Sequence, residues 1–446
     1  MQPRSRVVAI FLAVVAVVEL VAGGVVLRSR DDLVPAVTAD GRTTAREGSA
    51  HRRALEEREA AVRRLLDDRS RAVLTRDRAL FLSAIDPAAD EFRARQGKLF
   101  DALAAVPIGS WTYDLDADRE TPYEPGLLGY YGAEAWVPEV VLRYQLAGYD
   151  DHPATSAQFL TFVRRSEGWR IGNDDDFAGV PTLETDRELW DFGPVEVVRG
   201  RRSLVLGRSG RRPMLTQISR QADAAVPRVT QAWGSDWPQR VVVLVPETQD
   251  ELGTIIEEGN DLSQIAAVAV AQLGEGAGGL RAVGNRIIVN PPNFARLSVT
   301  GRQVVLTHEI THVATREATR PSVPTWLVEG FADYVGYLGS GVRTRDAARE
   351  LRVDVRAGRV PAELPPDEEF GGTSPRLAQA YEMSWLACRL IVERTSEADL
   401  VRFYRAVAAS SADPDSAVDA AFRSILGSTT ESFTRAWRAY LRAQVG

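Results

Sequence analysis

The sequence predicts an α+β protein whose carboxy-terminal half is mostly helical. Three observations carry that prediction. Apolar residues recur at helical spacing from Arg53 to about Ala84. Apolar and polar residues then alternate through Trp111, Tyr113 and Leu115, and again through Val140, Leu142, Tyr144 and Leu146, as in half-buried antiparallel strands. From Arg302 onward helical periodicity is nearly continuous. At 446 residues the chain exceeds one ordinary core, so two or three domains are expected. With 45% apolar and 26% charged residues it is not a disordered chain, and a net charge of −7 gives no general attraction to nucleic acid.

The first element, within residues 1–30, is a membrane device. Val7 to Leu27 is apolar except for Glu19, with Arg4 and Arg6 before it and Arg28 and Arg30 after it. About 20 such residues cross the hydrocarbon core as a helix, which favours a retained anchor over a signal peptide. Basic residues ahead of the span predict a cytoplasmic N-terminus and an extracytoplasmic body at the cell membrane. If the segment were cut near Ala22-Gly23-Gly24, the body would be secreted instead. Residues 31–50 are polar and aperiodic, the pattern of a linker.

Residues 51–183 form the next expected domain. The helical stretch to Ala84 is followed by a helix over Asp90 to Ala105, the two alternating runs above, and strands at Leu160–Phe162 and Trp169–Ile171. Helices followed by curved strands, over Arg53 to about Pro181, resemble the cone-shaped nuclear-transport-factor-2-like (NTF2-like) fold. That resemblance implies a cone that holds a small ligand or serves as an adaptor. His152, in Tyr149-Asp150-Asp151-His152-Pro153, reads as a hairpin residue.

Residues 190–446 make the last expected domain. Strands are predicted at Val195–Val198, Ser203–Leu206 and Val241–Val245, with a helix from Leu215 to Trp233 between the last two. Two more strands, Ile265–Val270 and Arg286–Asn290, flank a glycine-rich stretch, Gly274–Gly279, read as a mobile loop near a substrate cleft. The final helix follows Gly427, with Ser428 and Glu431 spaced as a capping box.

The scarce residues point to chemistry. A single cysteine, Cys388, excludes an intramolecular disulfide and any cysteine-based zinc knuckle, and its apolar helical setting reads as a small hydrophobe. Of four histidines, His308 and His312 lie four apart in GRQVVLTHEITHVATR at 301–316. On a helix they share one face, where two imidazoles can reach one ion at about 2.0–2.1 Å. Glu309 is offset by one position, beside the ion's open site, where a general base for water belongs. Three protein ligands are then expected. A metzincin arrangement would need Gly and His or Asp where Thr315 and Ala318 stand; an Asp-type ligand elsewhere stays open. The better candidate lies in PTWLVEGFADYVG at 324–336, a helix opened by Pro324 that puts Glu329 and Asp333 on one face. Glu329 is the expected third ligand, and Asp333 the acceptor for the far nitrogen of His308.

HEITH followed by WLVEGFADY resembles the gluzincin metallopeptidases, the thermolysin-like and aminopeptidase-N-like enzymes, over about Val241 to Val445. A third segment, AYEMSWLACRLIVER at 380–394, is similar to the aminopeptidase helix whose leading tyrosine stabilises the oxyanion. The resemblance implies a zincin-like domain, one Zn²⁺ per chain, a peptide or protein substrate, and an oxyanion donor in Tyr381. The alternative for Tyr381 is a tyrosine that only packs at a helix start. The glutamate-bearing G-x-M-E-N strand that holds a free amine in aminopeptidases has no acidic counterpart in Ala266-Ala267-Val268-Ala269-Val270. An apolar edge strand could still pair with an extended peptide. The expected function is zinc-dependent peptide hydrolysis. A different class also competes: a binding or scaffold protein with a silent or structural metal site, against which the intact Glu309 speaks. Oligomeric state, cleavage specificity and substrate are not legible in the sequence.

Overall fold

The computed structural model describes residues 43–121, 125–132, 134–180, 183–256, 265–276 and 279–446. The apolar stretch read as a membrane anchor lies outside them. Among the described residues no helix is long and apolar enough to cross a membrane. The chain divides into two compact units. One runs to Val195 and takes in Gln272–Gly274; the other holds Glu196–Ala271 and Glu275–Gly446.

The first unit opens with α1 (Thr43–Thr75). This helix starts inside the stretch read as a linker, so residues 43–50 are helical. Polar composition hid this, because nothing in those residues is periodic. Val62, Leu66, Arg69 and Val73, spaced four, three and four apart, form its buried stripe, while Leu55 and Leu74 face solvent. Arg76 adopts the left-handed conformation (φ 60°) that ends the helix, and the Asp77 carboxylate caps α2 (Arg78–Ser83) by accepting from the Leu80 amide. Next come α3 (Asp90–Ala102), β1 (Ile108–Glu120), α4 (Pro125–Tyr131), β2 (Ala135–Trp136), β3 (Pro138–Leu146), β4 (Ala154–Gln158), β5 (Thr161–Arg165) and β6 (Gly168–Asn173).

These strands form two antiparallel three-stranded sheets, ordered β1-β3-β4 and β2-β5-β6. The predicted alternation sets the register: Trp111 faces Tyr144 and Leu115 faces Val140 across the β1–β3 pair. Trp136, Phe162, Trp169 and Ile171 from the second sheet join Val62, Leu66 and Phe92 in one core.

The second unit contains β7 (Val195–Arg199), β8 (Ser203–Arg208), α5 (Arg212–Trp233), β9 (Val241–Val245), α6 (Gln249–Ile256), β10 (Ala267–Gly276) and β11 (Gly279–Val289). Their sheet has the order β10-β11-β9-β8-β7, with β8, β9 and β11 parallel, so β10 is an edge strand. The glycine-rich stretch read as a loop is largely strand: β10 runs through Gly276 and β11 begins at Gly279. Residues 277–278 lie outside the described residues. Glycine lowers strand propensity locally, but hairpin pairing overrides it.

Helices then follow almost without interruption: α7 (Pro291–Arg296), α8 (Val299–Thr315), α9 (Thr325–Tyr337), α10 (Thr344–Ala347), α11 (Arg349–Arg356), α12 (Leu377–Arg394), α13 (Glu397–Ala408), α14 (Pro414–Leu426) and α15 (Thr430–Val445). Gly427 sits at φ 58° and closes α14, as its position before the last helix implied. The cap of α15 is Thr429, whose hydroxyl accepts from the Ser432 amide; Ser428 stands one position too early for the predicted capping box.

Two glycines set the spacing of the helices that matter. A methyl group on Gly336 would lie 3.1 Å from the Val304 carbonyl oxygen and 3.5 Å from the His308 Cβ, so α9 lies tight against α8. On Gly330 it would lie 2.5 Å from the Ser384 carbonyl oxygen and 2.9 Å from Cys388 Sγ, so α12 presses on the other side of α9. Cys388 is fully buried there, and burial pushes its thiol pKa well up, in keeping with a packing residue.

Candidate metal centre

Helix α8 is fixed at its start by Ser298, whose hydroxyl accepts from the Gly301 amide. Val304, Val305, Leu306 and Ile310 bury it nearly all round, carrying His308 and His312 into the interior. Pro324 is the N-cap of α9, its carbonyl accepting from the Leu327 and Val328 amides, and the helix is apolar through Trp326, Leu327 and Phe331. Its one acidic face turns to α8.

The three expected ligands meet. Ligand atoms of His308, His312 and Glu329 all lie within 4.8 Å of one another. The two Nε2 atoms are 2.8 Å apart, and Glu329 Oε2 stands 3.2 Å from the first and 3.5 Å from the second. Donors sharing one ion at 2.0–2.1 Å in tetrahedral geometry sit about 3.3 Å apart, a figure these distances bracket. His308 Nδ1 donates to Asp333 Oδ1 at 2.8 Å, which leaves the Nε2 lone pair for the ion. These four residues and Glu309 are all buried, with Glu329 and Glu309 at 0% exposure.

Hydrogen bonding tests whether a cation fits. Neither oxygen of Glu329 has a hydrogen-bond partner, nor does either oxygen of Glu309 or the hydroxyl of Tyr381. Five orphaned polar atoms converge around two imidazoles. Buried carboxylates without donors are costly unless they meet a cation, so this donor set fits a divalent ion and zinc above others, having two nitrogens and one oxygen.

Electrostatics supports that fit. Burial, and the charge of His308, push the His312 pKa down to about 4 against the pull of Glu329, so its ring keeps a lone pair at neutral pH. Burial also raises the Glu309 carboxyl to about 8, with Glu329 adding to the rise and His308 opposing it. Burial opposes a charged His308, but Asp333 and Glu329 together hold its pKa well above the ordinary value, so a cation is favoured at its Nε2, where a proton and a metal ion would compete for the same lone pair. Glu329 itself is held below the usual carboxylate range: burial works against this, and the two imidazoles overcome it. Tyr381, raised first by burial and then by Glu329, stays a protonated donor.

Tyr381 comes from the start of α12, its ring 6.2 Å from that of His308 and 5.4 Å from that of Phe370. The next residue holds the helix in place. Glu382 accepts from the backbone amides of Leu351 at 2.6 Å and Glu350 at 3.2 Å, tying α12 to the start of α11. Sequence reading gave Glu382 no role, nor Gly330, Gly336 or Arg316. The glycines left a trace as small residues six apart inside an otherwise bulky apolar helix. Glu382, a charge inside the apolar run of α12, was a weaker one.

No family model matches the sequence, and no curated protein matches it. Among solved structures the chain is similar to yeast LTA4 hydrolase in complex with bestatin, at 14% identity and a TM-score of 0.30, covering 56% of this chain and 36% of that one. It is also similar to native yeast LTA4 hydrolase, at 11% identity and a TM-score of 0.35, covering 77% and 61%. An M1 zinc metallopeptidase from Deinococcus radiodurans is similar at 13% identity and a TM-score of 0.32, covering 73% and 92%. Likeness at this level says nothing of the site's chemistry, which stands on its own geometry.

Proposed function

We propose that this protein is a zinc-dependent peptidase, held at the outer face of a membrane by its apolar amino-terminal segment. One observation carries the reading: two imidazoles and a distant carboxylate converge on one point, with an unpartnered glutamate and phenol beside it. His308, His312 and Glu329 would hold the ion, and Asp333 fixes the tautomer of His308. Zinc bound there supplies Lewis acidity and lowers the pKa of a water in its open position.

The chain's own groups do the rest. Glu309, on the helix turn that carries both histidines, takes a proton at its carboxylate from the attacking water and returns it to the leaving amine. The Tyr381 hydroxyl donates to the peptide carbonyl oxygen as that oxygen gains negative charge, a contribution of ~3–4 kcal/mol for one such donor. The buried surroundings strengthen both interactions, because few waters compete for them.

Purified protein should carry one zinc per chain and cleave peptides in a mixed pool, with a chelator abolishing cleavage. Protein that binds no zinc, or whose thermal stability is indifferent to zinc, would sink the reading.

A further inference from the structure

A buried guanidinium in the first unit has no acid paired with it. Arg69, in the buried stripe of α1, is 5% exposed. Its Nε donates to the Tyr113 hydroxyl at 3.1 Å and its Nη2 to the Gln96 side-chain oxygen, both neutral groups. Nη1 has no hydrogen-bond partner, and among the described residues no carboxylate forms an ion pair with this side chain. Burying an unpaired charge is costly, so a guanidinium held this way calls for an anion. The Tyr113 hydroxyl adds a second unused donor. It accepts from Arg69 and from Trp111 Nε1 at 3.1 Å, and its own proton goes to no acceptor among the described residues.

Arg69 and Tyr113 line one small cavity within the first unit, together with Trp111 and Trp190, whose rings lie 6.3 Å apart. The same cavity also carries the opposite charge. Asp191 lines it, with Oδ2 accepting from the Glu188 amide at 2.8 Å, and so does Glu188, whose carboxylate accepts from the Tyr144 hydroxyl at 2.6 Å. Burial raises the Asp191 carboxyl to about 7; the Glu188 amide and Arg187 oppose the rise, and Asp174 and Glu188 add to it. An acid so placed gains from a cation. Two further acids of the lining are already engaged, Asp174 by Arg95 and Arg187 and Asp186 by the Ala157 amide. A simple carboxylate would satisfy Arg69 but face Asp191 and Glu188, whereas a simple ammonium would satisfy the acids but face Arg69. A molecule bearing both groups meets both demands.

We infer that this cavity binds a small amino acid as its zwitterion. The carboxylate accepts from Arg69 Nη1 and the Tyr113 hydroxyl, the ammonium answers Asp191, and the indoles of Trp111 and Trp190 cover the carbon atoms. The size of the cavity suits glycine or alanine. The inference stands apart from the peptidase reading, because every residue it uses belongs to the first unit.

The test titrates the full-length protein with glycine, acetate and methylammonium by calorimetry. Each titration is repeated after chelation, which separates this cavity from the metal centre. Glycine should bind at least about tenfold more tightly than either singly charged probe, with no change after chelation. Asp191→Asn keeps an acceptor for the Glu188 amide, so the fold is retained, and the glycine and acetate affinities should draw together. Arg69→Lys keeps the charge but forfeits the planar fork of donors, so glycine affinity should fall about tenfold or more. Should Arg69→Lys fail to fold, Asp191→Asn still decides. Glycine that binds no more tightly than acetate overturns the inference, as does glycine binding that survives the substitutions or is lost with the chelator. So does the absence of binding by all three probes at millimolar concentration, the result expected of a cavity that holds only water.

Discussion

Two buried acids of the first unit and two at the candidate metal centre are handled in opposite ways. In the amino-terminal unit Asp86, 2% exposed, accepts three bonds from Arg165 at 2.5–3.1 Å and one from the Ala88 amide at 3.2 Å. Asp174, 4% exposed, accepts from Arg95, Gln96 and Arg187. In the second unit Glu309 and Glu329 are more deeply buried, yet none of their oxygens has a hydrogen-bond partner. A satisfied buried charge holds a fold together, whereas an unsatisfied one destabilises it until something else binds. The difference sets the candidate site apart from the framework without reference to any motif.

The largest expected effect tests the unsatisfied side. Glu309→Gln should leave zinc content at one per chain while lowering peptide hydrolysis by about 10²–10⁴-fold. The metal-free variant should be more stable than the metal-free parent by about 1–3 kcal/mol, since a buried unpartnered carboxylate becomes a neutral amide. Denaturant titration of both chains, stripped of metal, checks the sign.

Asp86→Asn should do the reverse, costing about 3 kcal/mol by leaving Arg165 without its carboxylate. This pair also has a pH signature. Burial pulls the Asp86 pKa up, but the Arg165 bonds and the Ala88 amide outweigh it and hold the carboxyl below its ordinary value. Its contribution is therefore complete above the unfolded pKa of about 3.9 and is lost as pH falls through the lower folded value. Acid titration of the full chain should show the wild type losing its advantage over Asp86→Asn below about pH 4; an advantage that vanished near neutrality would contradict the assignment.

Asp333→Asn probes the one acid of the metal centre that does have a partner. It should lower zinc affinity by about 10–100-fold in competition with a chelator, with little change in the metal-free fold. The smallest effect should not distinguish the units at all. Asp77→Ala at the cap of α2 and Ser298→Ala at the cap of α8 should each cost about 1 kcal/mol in thermal or denaturant melts. Unequal costs would mean that the units differ in local helix energetics and not only in their buried charges.

The clustering of the candidate metal centre was largely legible because its donors are local in sequence. Two histidines four apart on a helix must share a face, and so must Glu329 and Asp333. That the two faces meet was only an expectation, and it depended on Gly336, which lets α9 approach the His308 turn. In the first unit β1, β3, β5 and β6 were legible for a related reason, since alternation of period two survives any packing partner, whereas β2 and β4 were not read. The start of α1 was not, because a polar helix without an apolar stripe has no period to read. The capping residue of α15 was missed by one position, since Ser428 and Thr429 can both cap and only backbone geometry selects between them. Arg316 was visible as a residue but not as a contact, because the Ala269 carbonyl to which it donates lies 47 positions earlier in the chain.

By itself, then, the sequence determined which side chains lie on which face of α8 and α9, because helix geometry fixes that within a few residues. It also determined where chemistry was concentrated, because histidine is scarce in this chain. Tertiary structure decided what those faces meet: the depth at which Glu309 and Glu329 are buried, the lack of hydrogen-bond donors around them, and the edge strand laid against Arg316. Burial and partner choice depend on segments far apart in sequence, whose approach is set by the bulk or absence of side chains such as those at 330 and 336. No local pattern records that.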